Sequence, residues 1–148
     1  MPSLPAAAAG KGRERMTWKV NVDAVEEQVQ RWSWEGTSYE RGRRHISVAL
    51  GNAESSRHPF DVELTRVPPG AAPCPVHSHS GMWELFLIVA GQGEVTRNGD
   101  THIVGPGDCF VQPPGTRHRV RNASATEDLL FYVIANEGPG DETTKHRP

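Results

Sequence analysis

The chain has 148 residues, 16 basic and 18 acidic side chains for a net charge of −2, and 36% hydrophobic residues. At about 150 residues per domain this predicts one domain, and the balanced charge offers no cationic field for nucleic acid or anionic lipid. The longest apolar run, Leu85 to Ala90, is far short of the roughly 20 residues a membrane helix needs, while 15 glycines and 12 prolines predict many tight turns between short strands.

Residues 1–16 place Pro2, Pro5 and an alanine tract ahead of Lys11, Arg13 and Arg15, the reverse of a secretory leader. They read as a flexible extension, with Met16 an alternative start. Residues 17–59 read as a helix and leading strands. Val22, Val25, Val29 and Trp32 recur at helical spacing, with Asp23 and Glu26 as a capping pair, so one short amphipathic N-terminal helix is expected there. From His45 the pattern turns to strand. His45–Leu50, Phe60–Val67, Trp83–Ala90, Glu94–Arg97, Thr101–Val104, Cys109–Gln112, Arg117–Arg121 and Leu129–Ala135 are short, rich in β-branched or aromatic residues, and bounded by Gly, Pro or Asn. An all-β sandwich or small barrel over 60–136 follows, with Asn98-Gly99 its strongest hairpin signal. The tail, 137–148, has no apolar anchor and is expected to be flexible. Cys74 and Cys109 form no CxxC pair and are expected as two reduced thiols of a cytoplasmic protein.

Chemistry concentrates in His77, His79, Glu84 and His118. Histidines at i and i+2 of a strand project from one face, so both imidazoles can reach one cation. Glu84 lies an odd step beyond His79, so Ser80-Gly81-Met82 must turn or bulge to bring it back. In the last histidine's strand, His118 and Val120 share one face, and Arg117, Arg119 and Arg121 are expected to face solvent.

These residues resemble the cupin superfamily, and in particular a small single-domain bacterial-type cupin. The first cupin motif, G-x5-H-x-H-x(3,4)-E-x6-G, is similar to Gly70, His77, His79, Glu84 and Gly91, with six residues rather than five after the first glycine. The second, G-x5-P-x-G-x2-H-x3-N, matches Gly107, Pro113, Gly115, His118 and Asn122 position for position. The resemblance implies a double-stranded β-helix, or jelly-roll barrel. It also implies one divalent transition metal ion held by His77, His79, Glu84 and His118. The donor set suits Mn, Fe, Co, Ni, Cu or Zn without choosing among them. His45, His58, His102 and His146 read as surface or core residues.

Beyond the ligands, Phe86 shares the inward face of its strand with Glu84 and Ile88, and could line the pocket or pack the core. Trp83 alternates outward. On the strand at 60–67, Phe60, Val62 and Leu64 mark one face, and Arg66 continues it toward the barrel mouth as a candidate clamp for a carboxylate or phosphate. Tyr39, Tyr132, Glu94 and Asp108 are possible proton donors or acceptors, and no spacing selects one, so the catalytic acid or base is unassigned. Both faces of Leu85 to Val89 are apolar, so a homodimer covering the outer face is expected, as the resemblance also implies.

Four ligands leave coordination positions open for a small-molecule ligand. The expected function is a metal-dependent enzyme acting on a small oxygen-rich metabolite such as a carboxylate, enol or sugar derivative, with dioxygenase, decarboxylase and isomerase activities as family precedents. The alternative is a non-catalytic cupin that senses or buffers a metabolite or metal. No nucleic-acid or membrane partner is expected.

Overall fold

Two hairpins closed by paired residues at positive φ organise the strand pairing. Asn98 (φ 48) and Gly99 (φ 90) form the two-residue turn anticipated from the sequence, and Arg97 pairs with Asp100 across it. Glu35 (φ 50) and Gly36 (φ 78) form an equivalent turn that joins Trp34 to Thr37. This computed structural model describes residues 17–52, 58–136 and 140–147. The expectations for 1–16, including an alternative start at Met16, lie outside those residues.

The strands are β1 (Gln28–Trp34), β2 (Thr37–His45), β3 (Phe60–Val67), β4 (His77–His79), β5 (Glu84–Ala90), β6 (Gly93–Arg97), β7 (Asp100–Val104), β8 (Cys109–Gln112), β9 (His118–Asn122), β10 (Leu129–Asn136) and β11 (Thr143–Lys145). They form two antiparallel sheets in a jelly roll, ordered β1-β2-β3-β10-β5-β8 and β11-β4-β9-β6-β7. Alternation along β5 and β10 turns Phe86, Ile88, Phe131 and Val133 inward, where they pack with Val67, Val95, Val120 and Leu129. Ile88 and Leu129 are 1% and 0% exposed. Burying each such side chain contributes about 1.5–3 kcal/mol, enough to pin the register and with it the polar residues on the same inner faces.

Three local expectations are corrected. The Val22–Trp32 stretch holds only a single 3-10 turn at Val22–Ala24 and then enters β1. Val22 and Val25 are only half-buried and Val29 is 44% exposed. An isolated short helix is marginal, whereas the Glu35-Gly36 turn lets β2 pair with β1 along its whole length, Gln28 to Trp34. Among the described residues the one α-helix, α1, spans Ile46–Ala49 and replaces the strand expected over His45–Leu50. Leu50 N donates to Ile46 O at 3.0 Å, and Gly51 (φ 84) ends the helix in the left-handed conformation that suits a glycine cap. Finally, the described part of the tail is docked: Thr143–Lys145 pairs with His77–His79. Its anchor is polar and backbone-mediated, so a search for apolar residues misses it.

Candidate metal centre

His77 and His79 leave the same face of β4, with ring centroids 5.0 Å apart and edge-on. The β4–β9 register sets His77 opposite His118, whose ring lies 4.4 Å from it. After His79 the chain crosses to the other sheet through 80–83, and Glu84 opens β5 there. The expected turn is present, and it returns the carboxylate across the barrel. Glu84 Oε1 lies 2.9 Å from His79 Nε2 and 3.0 Å from His118 Nε2. One ligand atom from each of the four residues lies within 4.8 Å of the others, so the group can hold a metal ion.

The outer nitrogens test that fit. His118 Nδ1 sits 2.9 Å from Thr116 O, and His77 Nδ1 sits 3.0 Å from Pro75 O. A carbonyl only accepts, so both rings carry their proton on Nδ1 and turn an Nε2 lone pair inward. A neutral His118 then faces the Glu84 carboxylate lone pair to lone pair at 3.0 Å. That approach is favourable only with a cation at Nε2, either a proton or a shared metal ion. Two imidazoles oriented from behind, the imidazole of His79 and one carboxylate form a set suited to a divalent transition metal.

Burial first, and His118 second, depress the pKa of His77 to about 4. Burial pushes the Glu84 carboxyl up, but hydrogen bonds from His118 and His79 outweigh it and hold the group well below the usual carboxylate range. The Glu84 hydrogen bond raises His79, with Asp141 adding to it.

The cluster opens into a cavity of about 480 Å³ whose lining includes Phe86, Phe131, Val133 and Ala135. Phe86 borders the cavity and also packs in the core, 5.1 Å from Phe110 in a stacked arrangement. Arg66 does not line it. Its Nη2 lies 2.7 Å from Glu27 Oε1, and Gly42, opposite Arg66 in register, leaves the space that the Glu27 carboxylate enters. The inward face of β3 is instead Asp61, Glu63 and Thr65. Reading the apolar face as inward holds for a packed core, and here the interior is a polar cavity.

Arg117 is exposed and Arg121 bonds Glu94 at 3.0 Å, but Arg119 is half-buried and borders the cavity, against expectation. None of Tyr39, Tyr132, Glu94 and Asp108 lines it; Asp108, for instance, accepts from Gly105 N at 2.7 Å. His45, His58, His102 and His146 stay outside the metal group, and Trp83 faces out at 50% exposure. The sequence reading did not find Trp32, Arg41, Arg43, Glu63, Thr65 and Cys74, which all line the cavity. The signal available for β2 was the alternation Tyr39, Arg41, Arg43 ahead of the helix.

A double-stranded β-helix carrying a three-histidine, one-glutamate group defines a class of small β-barrel proteins. The family model for the cupin domain matches residues 63–135, and the chain belongs to the cupin superfamily. It is 35% identical over 75 residues to germin-like protein subfamily T member 3 of Arabidopsis thaliana, covering 47% of this chain and 33% of that protein. It is 30% identical over 102 residues to quercetin 2,3-dioxygenase of Bacillus subtilis, covering 69% of this chain and 30% of that one. The chain therefore spans about a third of the length of these curated relatives. A crystal structure described as a sugar phosphate isomerase from a cupin superfamily, from Silicibacter pomeroyi, superposes with a TM-score of 0.71 at 21% identity, covering 88% of this chain and 82% of that one. At that identity the likeness speaks for the fold. Among the described residues no helix is long and apolar enough to cross a membrane.

Proposed function

We propose that this cupin is a metal-dependent enzyme acting on a small oxygen-rich metabolite, of dioxygenase, decarboxylase or isomerase type. One observation carries the proposal: one ligand atom from each of three imidazoles and a carboxylate, all within 4.8 Å of one another, bordering a cavity of about 480 Å³. His77, His79, Glu84 and His118 hold a divalent transition metal in this reading. When bound, such an ion supplies Lewis acidity toward substrate oxygens or, if redox-active, dioxygen chemistry. Phe86, Phe131 and Val133 exclude water from one side of the substrate, and the named activity of the Bacillus subtilis relative, a quercetin 2,3-dioxygenase, supports small-molecule chemistry.

The test is metal analysis of protein purified without a histidine tag, beside a His77→Ala/His118→Ala variant, then oxygen uptake and product formation on diketones, small diacids and sugar phosphates. Near one metal per wild-type chain, none in the variant, and turnover abolished by EDTA and restored by one metal support the enzyme. Stoichiometric metal with ligand-induced stabilisation and no turnover replaces it with the binding-only reading.

We also infer a homodimer. Trp83, Leu85, Leu87, Val89 and Val111 expose 50%, 38%, 36%, 46% and 41% of their surface beside β8, the free edge of its sheet. Leu87→Lys is expected to halve the mass seen by light scattering. Two unpaired cysteines fit a reducing compartment such as the cytoplasm.

A further inference from the structure

The side of the cavity built by β2 and β3 is charged. Arg41 and Arg43 of β2 and Asp61, Glu63 and Thr65 of β3 line the same space as the metal group. Arg43 is ion-paired but not hydrogen-bonded: its Nε lies 3.1 Å from Glu63 Oε1 without hydrogen-bond geometry, and His45 lies 3.7 Å from the other oxygen. Arg41 is different. Its Nε donates to Gln30 Oε1 at 3.1 Å and its Cζ sits 4.6 Å over the Trp32 ring, contacts that fix the guanidinium plane. Among the described residues no carboxylate lies within 4 Å of it, and its terminal NH2 groups have no acceptor.

Thr65 lies opposite Arg43 in register, which makes it a diagonal neighbour of Arg41 on the same inner face. It is 2% exposed, and its hydroxyl has no hydrogen-bond partner among the described residues. A buried hydroxyl left unpaired is costly, and so is a half-buried cation without a counter-ion. Burial, then the neighbouring Arg43, depress the Arg41 pKa to about 10, in keeping with a cation short of compensation. Both deficits would be met by one oxyanion entering the cavity.

We propose that the substrate is a small carboxylic acid with a second oxygen-bearing end, its carboxylate received by the terminal NH2 groups of Arg41 and the hydroxyl of Thr65. The other end is directed to the His77, His79, Glu84 and His118 group, and in that half the inference rests on the function proposed above. A carboxylate fits better than a phosphate dianion, since one guanidinium fork and one neutral hydroxyl match a single negative charge. Arg43 has its charge offset by Glu63, and Asp61 and Glu63 on the same wall repel a second charge. Arg119 also borders the cavity with an Nε that has no partner among the described residues, and Arg41 is assigned the selection of acids over neutral analogues because Thr65 is its diagonal neighbour.

Malonate, succinate and glutarate sample the span from Arg41 to the metal group, and succinamide is the uncharged counterpart. Calorimetric titration of the protein as purified, at fixed ionic strength, is expected to show at least one diacid binding tenfold or more tighter than succinamide. Arg41→Gln is expected to remove that preference with metal content and urea midpoint at wild-type values. Arg41→Lys is expected to retain part of it, and Thr65→Val to weaken the diacid several-fold without affecting succinamide. Equal binding of diacids and succinamide, or an undiminished preference in a folded Arg41→Gln protein, overturns the proposal. Metal content is read separately: if wild-type protein holds none, the metal reading fails, and an Arg41-dependent acid preference in that same protein still upholds the carboxylate site while its absence sinks it.

Discussion

Asp141 Oδ2 lies 3.0 Å from His79 Nδ1, joining the C-terminal segment to an imidazole of the candidate metal centre on β4, 62 residues away in sequence. The other carboxylate oxygen, Oδ1, accepts from Gly81 N at 2.8 Å and Met82 N at 3.0 Å, so one side chain orients the imidazole and clamps the crossing toward Glu84. Carboxylates behind metal-binding histidines typically govern affinity by 10–100-fold. Asp141→Ala is expected to weaken metal binding by about that factor, and Asp141→Asn, which keeps an acceptor for Nδ1–H, by less. Competition with a chromophoric chelator measures both.

The metal-free protein is expected to lose stability on mild acidification, with His77 responsible. Its folded pKa of about 4 lies below the ordinary 6.5. Between those values the unfolded chain binds a proton there that the folded chain refuses, so stability falls as pH drops through the window. The full loss is on the order of 3 kcal/mol. Glu84, held low, adds its own loss only below the ordinary carboxylate value. His79, held high, contributes fully below 6.5 and fades only as pH rises through its raised value, so it does not mask the effect. Urea midpoints between pH 7 and pH 4 are expected to fall less for His77→Gln than for wild type.

The ligand group was legible because strand alternation and two spaced motifs constrain His77, His79, Glu84 and His118 locally, and each sits at or within two residues of a turn that glycine or proline announces. The Asn98-Gly99 hairpin was legible for the same reason, whereas Glu35-Gly36 puts a glutamate where positive φ favours Asn or Asp and so gave no signal. Arg66 was misplaced because amphipathic alternation tells two faces apart without saying which one meets a polar interior. Asp141 was invisible since its role depends on long-range pairing of β11 with β4, carried by backbone groups that every residue has. Arg41 and Thr65 are notable only for partners they lack, a property that exists once the chain is folded.

The two ends of the first motif should differ in tolerance. Gly91 adopts φ 84, and a Cβ there would lie 2.3 Å from Asp128 O and 3.0 Å from Leu129 Cα. Gly70 adopts φ 70 with nothing within 4 Å of the same added atom. Gly70→Ala meets only the left-handed backbone penalty, about 1 kcal/mol. Gly91→Ala meets that penalty and a backbone clash beside the fully buried Leu129, and is expected to cost at least ~3 kcal/mol. Urea unfolding of the two variants gives the comparison, and the tolerance at Gly70 accords with the extra residue that follows it in the motif.

The two thiols should differ in reactivity. Cys109 is exposed, while Cys74 lines the cavity with its Sγ 3.6 Å from His77 Nδ1. Burial pushes the Cys74 pKa up to about 11, with the nearby arginines only partly offsetting it. Since the thiolate is the nucleophile, a rise from the ordinary 8.5 lowers the reactive fraction at pH 8 by about two orders of magnitude. Iodoacetamide at pH 8 is expected to modify Cys109 first and Cys74 at least ~50-fold more slowly, as peptide mass spectrometry over time would resolve. Comparable rates would mean that the cavity wall at 73–75 opens readily, and then Cys74 would be reached by any reactive molecule that enters the metal site.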